Sequence, residues 1–122
     1  MMKKLLATCV FAMALTISAH AENVSIGGNY KVEGTNINGT TYSGEATITL
    51  TSETTCEIHW VTGSSTSDGI CMRNDDSFAA AYKMADIVGL VIYKVAADGT
   101  LNGLWTVAGN GGNGTEVLIP TH

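Results

Sequence analysis

The sequence predicts an all-β domain built from about eight short antiparallel strands. From residue 22 onward apolar and polar residues alternate with period 2 in several segments, and no useful run shows the helical period. Gly, Asn and Asp residues typical of turns separate these segments at short intervals. Because short loops join strands that are neighbours in space, we expect a meander, either a small closed or nearly closed β-barrel or a β-sandwich. We favour the barrel because closure leaves no exposed strand edge.

The first two strands are predicted on either side of an Asn-Gly turn. Tyr30 and Val32 alternate with charged neighbours, and residues 42–51 alternate between an apolar face and a face rich in Thr and Glu. Asn38-Gly39 lies between them, and this dipeptide favours a tight hairpin because both turn residues need positive φ.

A central hairpin is predicted over residues 54–73, with one cysteine on each arm. The polar residues 63–69 form the predicted loop between the arms. If the hairpin folds evenly, Cys56 and Cys71 lie opposite each other, close enough for a disulfide bond. If Cys71 faces inward, Ile70 and Met72 face outward. Either this arm has a bulge, or both of its faces are partly covered.

The remaining strands are predicted in the last third of the chain. Phe78, Ala80 and Tyr82 alternate with other residues, which favours a strand, although three consecutive alanines also permit a short helix. Residues 87–95 are apolar on both faces, which is typical of a strand that is covered on both sides.

After this strand, the pattern predicts two more strands and a long loop. Residues 101–107 form the next predicted strand, followed by a Gly/Asn-rich loop over residues 108–114. Residues 117–119 form a last short strand that ends at Pro120.

The N-terminal segment has the features of a secretory signal peptide. Lys3 and Lys4 precede an apolar run over residues 5–17, and Ala19-His20-Ala21 provides a small-x-small cleavage site. We therefore predict a signal peptide at residues 1–21, cleavage after Ala21, and a single β domain at residues 22–122. The mature protein is expected in the periplasm or the medium, without a membrane attachment.

The net charge of the predicted mature domain limits the classes of molecule that it can bind. The predicted mature domain contains four Lys and Arg side chains against eleven Asp and Glu, a net charge of −7. Such a surface disfavours nucleic acid and anionic membranes as partners. Cys56 and Cys71 are the only cysteines of the domain, which fits a disulfide in an oxidising compartment and leaves no free thiol for catalysis.

Catalytic and metal-binding patterns are weak. The domain has only His59 and His122, too few for a histidine metal site, and no nucleophile motif accompanies either. Residues 109–114 match G-x-G-x-x-G, but the few residues that follow predict a strand rather than the helix that a dinucleotide site requires. We therefore expect no enzyme, no metal and no cofactor.

Aromatic residues are the best candidates for a binding site. Tyr42, Trp60, Tyr82 and Trp105 either fill the core or line the mouth of the barrel, where they would hold a small apolar or planar ligand. The segment Gly103-Leu104-Trp105 is similar to the Gly-x-Trp strand of lipocalin- and avidin-like barrels.

Most of the predicted domain resembles a group of small exported alphaproteobacterial proteins, which are uncharacterised or described as fibronectin-binding proteins. The resemblance implies an adhesin-like binding function and carries no known functional residues. The matching segments are Val32-Glu-Gly-Thr-Asn36, Tyr42-Ser-Gly-Glu-Ala46, Thr55-Cys-Glu-Ile-His-Trp60, Gly69-Ile-Cys-Met72, Gly89-Leu-Val-Ile-Tyr93, Asp98-Gly-Thr-Leu-Asn-Gly-Leu-Trp105 and Gly114-Thr-Glu-Val-Leu118.

The sequence thus predicts an exported, non-catalytic binding module that is adhesin-like by resemblance. Two alternatives stay open. One is a carrier of a small apolar ligand in the barrel mouth. The other is an inhibitor of an extracytoplasmic hydrolase that presents the loop at residues 63–69. The expected partner is accordingly either a protein or a small apolar ligand.

Overall fold

The computed structural model describes residues 24–121, which form a closed antiparallel barrel of eight strands. Each strand pairs with the next in the chain, and β8 returns to pair with β1. The predicted meander barrel is therefore confirmed over the sandwich. The predicted signal peptide and its cleavage site, and also His122, lie outside the described residues. The strands are β1 (Gly28–Thr35), β2 (Thr41–Leu50), β3 (Thr55–Thr62), β4 (Ser65–Asn74), β5 (Ser77–Met84), β6 (Ile87–Val95), β7 (Leu101–Val107) and β8 (Gly114–Pro120).

The predicted Asn-Gly turn joins β1 to β2, and the loop between β6 and β7 has the same backbone geometry. Gly39 and Gly99 have φ values of 87° and 88°, a region that glycine adopts without a steric penalty. In both loops the first residue donates its N–H to the carbonyl of a threonine four residues later, at 2.7 Å in one and 2.8 Å in the other.

The central hairpin has the predicted register and a shorter loop than predicted. Cys56 and Cys71 are directly paired across β3 and β4, with Cα atoms 4.9 Å apart, and they form a disulfide. Thr62 pairs with Ser65, so only residues 63–64 form the turn. The predicted loop at residues 63–69 is wrong beyond that point, because β4 begins at Ser65 and its pairing with β3 runs back to the turn.

The outer faces of two strands differ from the predictions: β4 has neither the bulge nor the partial cover that were its two alternatives, and β6 lacks the predicted cover on its outer side. β4 pairs without a bulge along both neighbours, so Ile70 and Met72 lie on the outer wall, 70% and 57% exposed. β5 is a strand rather than the short helix that its three alanines also permit. On β6, the outward apolar side chains are exposed at the surface. Within residues 24–121 nothing covers this outer face, so the covering predicted for residues 87–95 is wrong for the chain alone.

The barrel interior is packed in one half and hollow in the other. Phe78, Tyr93, Leu101, Leu118 and Val32 are completely buried toward the end that carries the loop between β6 and β7. The opposite end, where the loop between β1 and β2 lies, contains a cavity, and we call it the open end. Among the described residues, 24–121, no helix is long and apolar enough to cross a membrane.

Candidate ligand site at the open end of the barrel

The cavity at the open end has a volume of about 480 Å³ and is lined by aromatic side chains. Tyr42, Trp60, Tyr82 and Trp105, the four residues that the sequence suggests for ligand binding, all contribute to its wall. They come from four different strands, β2, β3, β5 and β7, so closure of the barrel is what brings them together. Their role in binding a ligand stays a prediction.

The four rings are held in two edge-to-face pairs. The Tyr42 and Trp105 ring centroids are 6.3 Å apart with an interplanar angle of 73°, and those of Trp60 and Tyr82 are 5.3 Å apart at 61°. Such pairs are favourable beyond the area they bury. The cavity wall is therefore preorganised rather than assembled by a ligand.

Glycines on neighbouring strands make room for the large side chains. At each of four positions the glycine is the direct cross-strand partner of an aromatic residue, and an added Cβ would overlap that aromatic ring. An aromatic ring covering a cross-strand glycine is a known way to stabilise curved sheets. The rings thus lie along the barrel wall. The four pairs are Gly34 with Tyr42, Gly89 with Tyr82, Gly103 with Tyr93, and Gly114 with Trp105.

Glu116 lies between the packed half of the barrel and the cavity, and it is only 6% exposed. The Tyr42 hydroxyl donates to its Oε1 at 2.9 Å, and the Trp60 indole N–H donates to its Oε2 at 3.1 Å. The Tyr93 hydroxyl also donates to Oε2. A buried carboxylate with three donors is well satisfied in hydrogen bonding, yet none of the three donors carries a positive charge.

Within residues 24–121, no positively charged side chain in the cavity lining balances the carboxyl group of Glu116. Burial raises the pKa of Glu116 above its ordinary value, and the hydrogen bonds from Tyr93, Tyr42 and Trp60 only partly offset this. Burial and the nearby carboxylate also raise the pKa of Tyr42 and Tyr93, and they raise the pKa of Tyr82 to about 12. These tyrosines are therefore neutral at physiological pH. No Lys, Arg or His of residues 24–121 lines the cavity.

Glu116 is the functional candidate that sequence reasoning missed. The last strand was predicted to start at residue 117, whereas β8 starts at Gly114 and includes Glu116. A signal was nonetheless present, because Glu116 and the apolar Leu118 are two residues apart and share one face of a strand. A charged residue on an inward face indicates a functional position.

His59 is placed away from the cavity, on the outer wall. Its Nδ1 lies 2.6 Å from Oδ1 of Asp68 across β3 and β4, and both side chains are substantially exposed. Within residues 24–121 no three His, Cys, Asp or Glu side chains are grouped so that they could hold one metal ion.

A second concave surface lies outside the barrel. It is a groove of about 880 Å³ that runs over β4, β5, β6 and β7, with Ala79 and Ala81 on β5 between larger apolar side chains. The opposite outer wall, on β1, β2 and β3, bears mainly Thr, Glu, Lys and Asn. The molecule thus has one apolar outer face and one polar outer face.

No protein-family model matches the chain, and no curated protein does. Solved structures of β-barrels do. A redesigned β-barrel aligns with a TM-score of 0.69 at 14% identity, covering 79% of this chain and 91% of its own. A redesigned barrel named mFAP1, bound to DFHBI, aligns with a TM-score of 0.66 at 19% identity, covering 77% and 94%.

A third similar structure is a de novo designed fluorescence-activating β-barrel, with a TM-score of 0.63 at 12% identity, covering 79% of this chain and 94% of its own. At such low identity, the likeness shows the fold alone. This chain has the fold of a small closed β-barrel.

Proposed function

We propose that the protein is an exported, non-catalytic carrier that binds a small, largely apolar and planar ligand in the cavity at the open end. The observation that carries the proposal is the preformed aromatic cavity above Glu116. Its volume of about 480 Å³ falls within the range of roughly 300–1,000 Å³ that is typical of small-molecule sites. Its wall combines aromatic and apolar side chains with one carboxylate and a small number of neutral polar side chains, which is the usual composition of such sites.

The similar solved structures support this choice among the alternatives. mFAP1 binds the small ligand DFHBI, and another of these barrels is described as fluorescence-activating. The disulfide between Cys56 and Cys71 supports an oxidising location such as the periplasm or the medium, as the signal peptide predicted at residues 1–21 would require.

The other two functions have less support. An inhibitor was expected to present residues 63–69 as a loop, and only residues 63–64 form a turn there.

Binding to fibronectin rests on the sequence resemblance and stays a separate prediction. If it occurs through the acidic surface, it should weaken as salt rises, because salt screens exposed charges. Surface plasmon resonance at low and high ionic strength would measure this.

Binding of the neutral planar dye Nile red tests the carrier function. We expect the wild-type protein to bind the dye. The Trp105→Ala variant should bind it at least about tenfold more weakly, because it loses the contact between the indole ring and the dye, and a loss of about 1.4 kcal/mol of binding free energy raises Kd tenfold. Fluorescence titration gives the affinities, and circular dichroism checks that the variant is folded.

The control variant is Leu90→Ser, which alters the outer groove and leaves the cavity intact. We expect this variant to bind Nile red as tightly as the wild-type protein does. Trp105 borders the outer groove as well as the cavity, so Leu90→Ser decides between them. If Leu90→Ser removes binding, the dye occupies the outer groove and the carrier proposal fails. Absence of binding by folded wild-type protein would also contradict the proposal.

A further inference from the structure

We infer that the ligand of the open-end cavity is an organic cation, with an amine or quaternary ammonium group that lies among the aromatic rings and is attracted to the Glu116 carboxylate. This inference rests on the proposed function and adds the chemical class of the ligand. It follows from the carboxyl group of Glu116, from the composition of the wall, and from the lack of a Lys, Arg or His side chain in the cavity lining within residues 24–121.

The first step concerns the charge of Glu116. The Trp60 indole N–H can only donate, so Oε2 of Glu116 must offer a lone pair to it. The hydroxyls of Tyr42 and Tyr93 donate to the two carboxylate oxygens as well. Three donors and no acceptor favour the ionised carboxylate, while burial opposes it. A positive group brought close by a ligand would therefore stabilise the anion while the three hydrogen bonds stay in place.

The second step concerns what a ligand could add. Buried charges in proteins are normally paired with an opposite charge, because removing an ion from water is costly. No cationic side chain of residues 24–121 lines this cavity, and Glu116 is the acidic residue in its wall. A ligand with a positive group would supply the missing partner, whereas an anionic ligand would be repelled.

The third step concerns the aromatic wall. The face of an aromatic ring carries negative charge density and attracts ammonium groups, and groups of such rings are the usual site for quaternary ammonium ligands. Tyr42, Trp60, Tyr82 and Trp105 provide four rings around one space. A bare metal ion fits less well, because hard cations favour several carboxylate ligands and the wall contains one carboxylate among the described residues.

A matched pair of dyes tests the inference. Thioflavin T is a planar cation, and its analogue without the ring N-methyl group has the same framework and no charge. We expect wild-type protein to bind the cation at least about tenfold more tightly, a difference of about 1.4 kcal/mol. Glu116→Gln keeps the shape of the side chain and an oxygen for the Trp60 N–H, so it should remove this preference while retaining the neutral dye. Glu45→Gln on the exposed outer wall is the control and should behave as wild type.

The pH dependence gives a second readout. Because the pKa of Glu116 is raised, its protonation begins at higher pH than for an ordinary glutamate, and affinity for the cation should fall as pH is lowered from neutral. Tyr42 and Tyr82, facing it from β2 and β5, and Tyr93 from β6 all stay neutral in this range. Affinity for the neutral dye should not change, and neither should either affinity in Glu116→Gln.

The outcomes separate the two proposals. Equal affinity for both dyes would overturn the inference that the ligand is a cation, and it would leave the proposed carrier function unchanged. A preference for the cation that survives Glu116→Gln would overturn the role of Glu116. If neither dye nor Nile red binds folded protein, the proposed function itself is wrong.

Discussion

Replacing Cys56 with serine is expected to lower the free energy of unfolding by about 3 kcal/mol, the value for a bridge that closes a loop of this size. The two cysteines are 15 residues apart in sequence and both are nearly fully buried, so a polar serine adds to the cost. Since a domain has only about 5–15 kcal/mol in total, this is a large share of its stability. Equilibrium denaturation in urea measures the loss.

The double variant Cys56→Ala with Cys71→Ala is the matched control. It should cost no more than the single change, because it breaks the same bond and buries no serine hydroxyl. Thiol titration of unfolded, unreduced wild-type protein should find no reactive thiol at Cys56 or Cys71. Two reactive thiols there, or a single variant as stable as wild type, would contradict the bridge.

Replacing Gly103 with valine is expected to destabilise the barrel by about 3 kcal/mol or more, since overpacking a tight core costs about 1–3 kcal/mol even for smaller additions. A Cβ at this position would overlap the ring of Tyr93, which is completely buried and donates to Glu116. The ring cannot move away without losing that hydrogen bond and opening the core. Thermal and chemical unfolding report the loss.

Two further variants isolate the cause. Asn102→Val changes the neighbouring, exposed and outward position of β7 and should be nearly neutral. In a Tyr93→Leu background, Gly103→Val should cost clearly less than in the wild type, because the ring that it meets is gone. Equal costs in both backgrounds would show that the collision with Tyr93 is not the reason.

The strands and much of their pairing follow from the sequence because they depend on neighbours along the chain. Alternation with period 2 assigns each residue of a strand to one face. Cys56, Trp60 and Phe78 are buried inside the barrel as the alternation predicts, and Tyr82 packs against them partly buried. Turn residues determine the register of a hairpin locally, so the disulfide pair was predictable even though the loop between its arms was drawn too long.

The candidate site was only half predictable. Aromatic residues on inward faces can be recognised from alternation, and all four line the cavity. Glu116 was missed because the predicted strand began one residue too late to include it, and the true start of β8 is determined by its pairing with β1 and β7. The pairing of Tyr93 with Gly103, which lets the ring reach Glu116, likewise depends on register between strands.

The sequence by itself therefore determined the strands, their inward faces and the central bridge, because these follow from contacts between residues close along the chain. Only the tertiary structure decided that β1 meets β8, that the rings of four strands surround one carboxylate, and that the apolar outer face is left open. Those features depend on contacts between residues far apart in sequence, and alternation describes only the faces of one strand.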